Sequence, residues 1–128
     1  MGMFHYYDLP RAELFIFDEF LVCQIREGME IHPEHNLKLN EVIQKHFSGK
    51  NIVYVSNRVN SYSVDPLTYV ETEKIPNLVA IAMVPETPIM KQNAEFEKNF
   101  FDKPYEIFDT LSEAIQWVHE IIKKQTNL

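Results

Sequence analysis

Cysteine and glycine are the scarcest useful residues in this sequence. Cys23 is its one thiol, so no internal disulfide can close and no cysteine-based zinc pattern can be assembled, and a reducing cytoplasm is the expected compartment. Gly2, Gly28 and Gly49 are its three glycines, too few and too scattered for a glycine-rich phosphate loop. Long apolar runs are also missing: the longest, residues 78–84, falls far short of the roughly 20 residues that a membrane span needs. The start, Met-Gly-Met-Phe-His-Tyr, has no basic segment followed by an apolar stretch and a small-residue cleavage site, which argues against a secretory leader. Gly2 does not make a myristoylation signal, because Tyr6 stands where Ser or Thr is needed; Met1-Gly2 reads as an expression scar. Positive charge is short too. Twelve basic residues against 19 acidic ones give a net charge of −7, whose field repels phosphate backbones and anionic lipid, so neither nucleic acid nor a membrane is the expected partner.

What is present is apolar side chain. At 128 residues and 45% hydrophobic composition the chain can remove about two-thirds of its unfolded surface from water, which fits one domain over residues 1–128, with residues 1–10 as an N-terminal segment.

Leu14, Ile16, Leu21, Cys23 and Ile25 alternate on either side of Asp18-Glu19, which predicts a β-hairpin over about residues 13–26. A two-residue loop would pair Phe17 with Phe20 and Phe15 with Val22 on one face; because Asp-Glu lacks the glycine that tight hairpin turns favour, a longer turn with shifted pairing stays open. Leu39, Val42, Ile43, His46 and Phe47 form one helical stripe, stopped by Ser48-Gly49. The run Ile52-Val53-Tyr54-Val55 reads as a central parallel strand, followed by a polar loop. Asp65-Pro66 opens a short helix expected to bury Leu67 and Val70. Residues 78–84 form the next strand, and Thr87-Pro88 caps a helix carrying Ile89, Phe96 and Phe100. Residues 105–108 give a last strand. Thr110-Leu111-Ser112-Glu113 is a capping box before a helix with the stripe Leu111, Ala114, Ile115, Val118, Ile121 and Ile122. The order β-β-α-β-α-β-α-β-α implies an α/β fold, a mainly parallel sheet with an antiparallel N-terminal hairpin.

This order, with the segments Asn57-Arg58-Val59-Asn60-Ser61-Tyr62-Ser63-Val64-Asp65-Pro66 and Phe100-Phe101-Asp102-Lys103-Pro104, resembles the STAS domain, and more narrowly the uncharacterised bacterial SpoIIAA-like (STAS/CRAL-TRIO-related) proteins. The resemblance implies that fold. In phosphorylated antagonists of the family, an Asp-Ser-Ser-Gly motif follows the first parallel strand, and its second Ser accepts phosphate. Here Ser63, Val64, Asp65 and Pro66 stand at those positions, so the acceptor hydroxyl is replaced by a carboxylate, which also reads as an ordinary helix cap.

In open α/β sheets ligands bind beyond the carboxyl ends of the strands. The candidate site is therefore the loop over residues 56–65, with Asn57, Arg58, Asn60, Ser61, Tyr62, Ser63 and Asp65, together with Thr87 from the next strand's end. Arg58, one of three arginines, would fork onto a small anion or an acidic segment of a protein partner; the plainer reading is that the Asn and Ser side chains satisfy their own backbone. If the helices gather on one side, the face formed by Phe15, Phe17, Phe20 and Val22 is left open for a partner or a second copy in a homodimer, unless residues 1–10 fold back over it. His32 and His35 read as a solvated first helical turn rather than a metal pair; His46 and His119 read as boundary residues. No nucleophile elbow is present, Cys23 lies within a strand, and Glu71, Glu73, Glu95, Glu97, Glu113 and Glu120 fall on predicted solvent faces, so no enzymatic activity and no cofactor is expected. The reading is a non-catalytic binding or regulatory module. A carrier of a small apolar or amphipathic ligand, implied by the CRAL-TRIO resemblance, is the alternative and predicts an enclosed cavity beside the aromatic face. A hydrolase using Ser61 or Ser63 with a histidine has only residue types behind it.

Overall fold

The computed structural model describes residues 4–126. Its elements are β1 (His5–Asp8), β2 (Ala12–Ile16), β3 (Phe20–Ile25), β4 (Glu30–Ile31), α1 (His35–Phe47), β5 (Ile52–Arg58), β6 (Ser63–Val64), α2 (Leu67–Thr72), β7 (Leu78–Pro85), α3 (Pro88–Glu97), a short 3-10 turn (Lys98–Phe100), β8 (Tyr105–Ile107) and α4 (Leu111–Thr126). Six strands form one sheet in the order β1-β2-β3-β5-β7-β8, antiparallel through β3 and parallel from β3 onward. This is the α/β architecture expected, with three short strands added. β1 extends the hairpin at its edge, and β4 pairs with β6 in a two-stranded parallel ladder. All three are too short, and β1 too exposed, to show an apolar alternation. Met1-Gly2 lies outside the described residues, and among those described no helix is long and apolar enough to cross a membrane.

The hairpin has the two-residue loop. Phe15 lies opposite Val22, the Phe17 amide donates to the Phe20 carbonyl at 2.9 Å, and the two rings stack with centroids 4.7 Å apart. Alternation along the strands divides the interior into two cores. Leu14, Ile16, Leu21, Cys23, Tyr54, Ile81 and Met83 face α1, α2 and α3. Phe20, Val22, Val53, Val55, Ala80 and Ala82 face α4, through Ala114, Val118 and Ile122. Cys23 is sealed in the first core, where burial pushes its thiol up to about 12 and keeps it protonated.

This arrangement corrects the expectation for the aromatic face. The helices do not all gather on one side: α4 returns across the second face, so Phe20 and Val22 are buried by the chain itself. Phe15 and Phe17 stay half-buried toward the β1 edge, where Tyr6 sets its ring 5.1 Å from that of Phe15. Residues 5–8 of the N-terminal segment form the sheet strand β1, from which Tyr6 covers Phe15 in part. Phe20 and Val22 thus form no open surface among the described residues, because Ala114, Val118 and Ile122 of α4 pack against that face.

Helix termini follow the sequence signals. Thr110 Oγ1 accepts the Glu113 amide at 3.1 Å, and Thr87 Oγ1 accepts the Met90 amide at 3.2 Å with Pro88 at the first helical position. The inward faces of the two middle helices differ from expectation. Leu67, Ile89 and Phe96 point outward, while α2 buries Thr68, Tyr69 and Thr72 and α3 buries Ala94 and Glu97. Ala94 lets α3 sit close, its carbonyl accepting the Tyr105 hydroxyl at 3.1 Å, and Glu97, one turn on, is thereby carried inward.

Candidate functional site

The carboxyl ends of the parallel strands form one rim, and the segment after Val55 leads onto it. β5 does not stop at Val55 but runs three residues further, to Arg58. Alternation then fixes the directions: Tyr54, Ser56 and Arg58 turn into the first core and Asn57 to the other face. Arg58 is 1% exposed. Its Nη1 and Nη2 donate to the two Glu97 carboxylate oxygens at 2.9 and 3.1 Å, and its guanidinium carbon lies 4.5 Å from the centre of the Tyr62 ring. The Tyr69 hydroxyl donates to Glu97 Oε1 at 2.6 Å, and the hydroxyls of Tyr62 and Ser56 lie 3.3 Å apart. Burial raises the Tyr62 phenol to about 12 and lifts Tyr69 well above the ordinary tyrosine range, so both remain neutral hydrogen-bonding groups.

Arg58 as a solvent-facing anion fork is therefore corrected. It is a folding element, held by a carboxylate 39 residues away in sequence, and Glu97 is not the solvated charge its helix position implied. An ion pair this deep persists only because Glu97, Tyr62 and Tyr69 together satisfy most of its polar groups; Arg58 Nε alone is left without a partner among the described residues. Only the pairing of a loop arginine with an otherwise unexplained inward carboxylate would have revealed it, and neither is marked by periodicity.

The other expected residues reach the rim, mostly engaged in tying it down. Asn57 Nδ2 donates to Gln24 Oε1 at 2.7 Å, and Asn60 Nδ2 to the Ile25 carbonyl at 3.0 Å. The exposed Ser61 accepts the Gly28 amide on its carbonyl at 2.7 Å and gives its own amide to Glu27 at 3.1 Å. Gly28 sits at φ +77°, a conformation that a side chain would disfavour. Ser63, in β6, bonds the Met29 carbonyl, and Asp65 Oδ1 accepts the Leu67 amide at 3.0 Å, so Asp65 caps α2. Thr87 caps α3 nearby, and the Glu86 amide bonds the Arg58 carbonyl at 3.2 Å, joining the two loops. His32 lies beside Glu30 and Asp65, while His35 turns to a different surroundings with Leu39, so the two imidazoles do not converge.

Among its exposed polar groups the rim also offers apolar side chains to solvent. Val59, Leu67 and Ile89 are 40%, 58% and 71% exposed, the first just past β5 and the others at the starts of α2 and α3. The carboxylates of Glu27, Asp65 and Glu86 accompany them at the same end of the sheet, while Arg58 is withdrawn beneath. The second segment of the resemblance has a structural role as well: Phe101 is buried, and Lys103 Nζ donates to the Ile75 and Leu78 carbonyls at 2.9 and 2.6 Å, closing the opposite end of the sheet.

The sequence matches no protein-family model and no curated protein. The structure is similar to that of an uncharacterised protein of the DUF3478 family with a SpoIIAA-like fold from Shewanella loihica PV-4. The TM-score is 0.57 at 11% identity, with 92% of this chain and 98% of that one covered. The fold of this chain is thus SpoIIAA-like, as the resemblance in its sequence implied.

Proposed function

We propose that the protein is a non-catalytic STAS-like module that recognises a protein partner at the carboxyl rim. The observation that carries this reading is the exposure of Val59, Leu67 and Ile89 together at that rim. Three of the seven large hydrophobic residues exposed among the described residues lie at that one end of the sheet, where a partner that covered them would remove apolar surface from water. With Arg58 neutralised inside, the accompanying charges are those of Glu27, Asp65 and Glu86, so the complementary partner surface is apolar with a basic border rather than a small anion or an acidic segment. Asn57, Asn60, Ser61, Ser63 and Thr87 hold the rim in shape, which limits what binding must order. Asp65 has no hydroxyl to accept phosphate, so recognition here runs without a phosphorylation step at that position.

The test is capture by the immobilised protein from a lysate of the source organism. Leu67→Asp with Ile89→Asp should abolish retention of whatever the unmodified protein retains, with the melting temperature unchanged. Leu37→Asp, at a still more exposed leucine on α1, should leave retention intact. Equal retention by the rim variant would sink the reading.

A further inference from the structure

The first core contains a small cavity of about 20 Å3 between α1, α2 and the end of β5. Its walls are unusually polar for a core, and most of their hydrogens are committed. The Tyr69 hydroxyl donates to Glu97, the Thr68 hydroxyl to the Ile31 carbonyl, and the Thr72 hydroxyl to Asn36 Oδ1. The Tyr54 hydroxyl is engaged with the Cys23 thiol. Two groups on the same walls are not satisfied. His35 Nε2 is buried and has no hydrogen-bond partner among the described residues. The hydroxyls of Ser56 and Tyr62 meet at 3.3 Å, but a contact between two hydroxyls uses only one of their two hydrogens, so one O–H is left over.

We propose that this cavity is a binding site for one internal water, hydrogen-bonded to His35 Nε2 and to the Ser56–Tyr62 hydroxyl pair. Size sets the first limit: a single water needs roughly 10–15 Å3 of such space, so the cavity admits one and no larger ligand. Chemistry sets the second. Buried polar groups left unpaired are costly, and the two groups here call for one occupant that reaches both. A water has two hydrogens and two lone pairs, so it can take the spare O–H and still give a hydrogen to Nε2, or take an N–H from it in the other tautomer. His35 brings no charge that would demand an anion instead, since burial first, and then Arg11, hold its imidazole down at about 4. His35 opens α1, Ser56 lies two residues before Arg58 on β5, and Tyr62 lays its ring against the Arg58 guanidinium. The water therefore ties the start of α1 to the strand end that carries the buried ion pair. None of its partners belongs to the group Val59, Leu67 and Ile89, so this site stands or falls separately from the partner surface.

The experiment is an atomic-resolution crystal structure of the unmodified protein, joined to oxygen-17 relaxation dispersion of the solvent, which counts waters held for longer than the protein takes to tumble. The crystal should show a fully occupied water within about 3.2 Å of His35 Nε2 and of the Ser56 or Tyr62 hydroxyl oxygen. In solution His35→Phe, which keeps a ring and removes the nitrogen, should lower the count of long-lived waters by one. An empty cavity in the crystal, His35 Nε2 bonded directly to a protein group, or a count that His35→Phe leaves unchanged would each overturn the assignment. Because the crystal measurement uses the unmodified chain, it decides the matter even if the variant does not fold.

Discussion

Arg58 and Glu97 meet as a fork on a fork, two parallel hydrogen bonds of 2.9 and 3.1 Å between side chains almost wholly removed from water. Removing one partner strands the other charge in the core. Glu97→Ala should therefore destabilise by about 3–5 kcal/mol in urea unfolding, whereas a paired replacement by apolar residues, Arg58→Met with Glu97→Leu, should recover most of the loss. A loss below about 1 kcal/mol for Glu97→Ala would mean that the pair is solvated in solution.

Tyr69 supplies the third hydrogen bond of this cluster, at 2.6 Å to Glu97 Oε1. Tyr69→Phe keeps the ring and removes only the donor, and hydrogen bonds to charged groups contribute about 1.5–3 kcal/mol. The midpoint of urea unfolding should fall by the corresponding amount with an unchanged slope.

His35 predicts an acid-side loss of stability. Its folded-state value of about 4 lies below the ordinary 6.5, lowered by burial and then by Arg11, so the unfolded chain takes up a proton that the folded chain refuses. The contribution is fully present above pH 6.5 and is lost progressively as pH falls from 6.5 toward 4, amounting to roughly 2–3 kcal/mol. Comparing the pH dependence of unfolding for the unmodified protein and His35→Gln isolates this part from the carboxylates. Parallel curves between pH 4 and 6.5 would contradict it.

The hairpin offers a test of which face is covered. Phe20 is fully buried beneath α4, and Phe17, stacked on it, is half-buried. Phe20→Ala should cost about 3–5 kcal/mol and Phe17→Ala less than half of that. Equal costs would place α4 elsewhere.

Thr110 heads α4, the helix that covers the second face among the described residues. Thr110→Ala should lower stability by about 1 kcal/mol, read as a lower unfolding midpoint, with Thr110→Ser close to neutral.

Much of this fold is written locally. The period-two alternation around Asp18-Glu19 placed the hairpin and its two faces, whereas the two-residue loop and the pairing register, which Asp-Glu without a glycine left open, were decided by the structure. The two caps at Thr87 and Thr110 were legible because a helix start needs a side-chain acceptor within three residues. The stripe Leu39, Val42, Ile43 and Phe47 was legible because those residues share one helix face. The extent of β5 was not. Ser56-Asn57-Arg58 looks alike as a polar loop and as a strand end whose alternate residues turn inward, and only the first reading leaves Arg58 in water.

The amino-acid order alone thus determined the alternation of strands and helices, the presence of a hairpin around Asp18-Glu19 and the α/β class, all of which follow from spacings shorter than one element. Tertiary structure decided what no short window contains: that α4 returns over Phe20 and Val22, and that Arg58 is claimed by Glu97 rather than offered to a ligand. The physical reason is that the energy of a buried charge depends on what lies across the core from it, and that partner is chosen by the packing of α3 through Ala94, not by any neighbour along the chain.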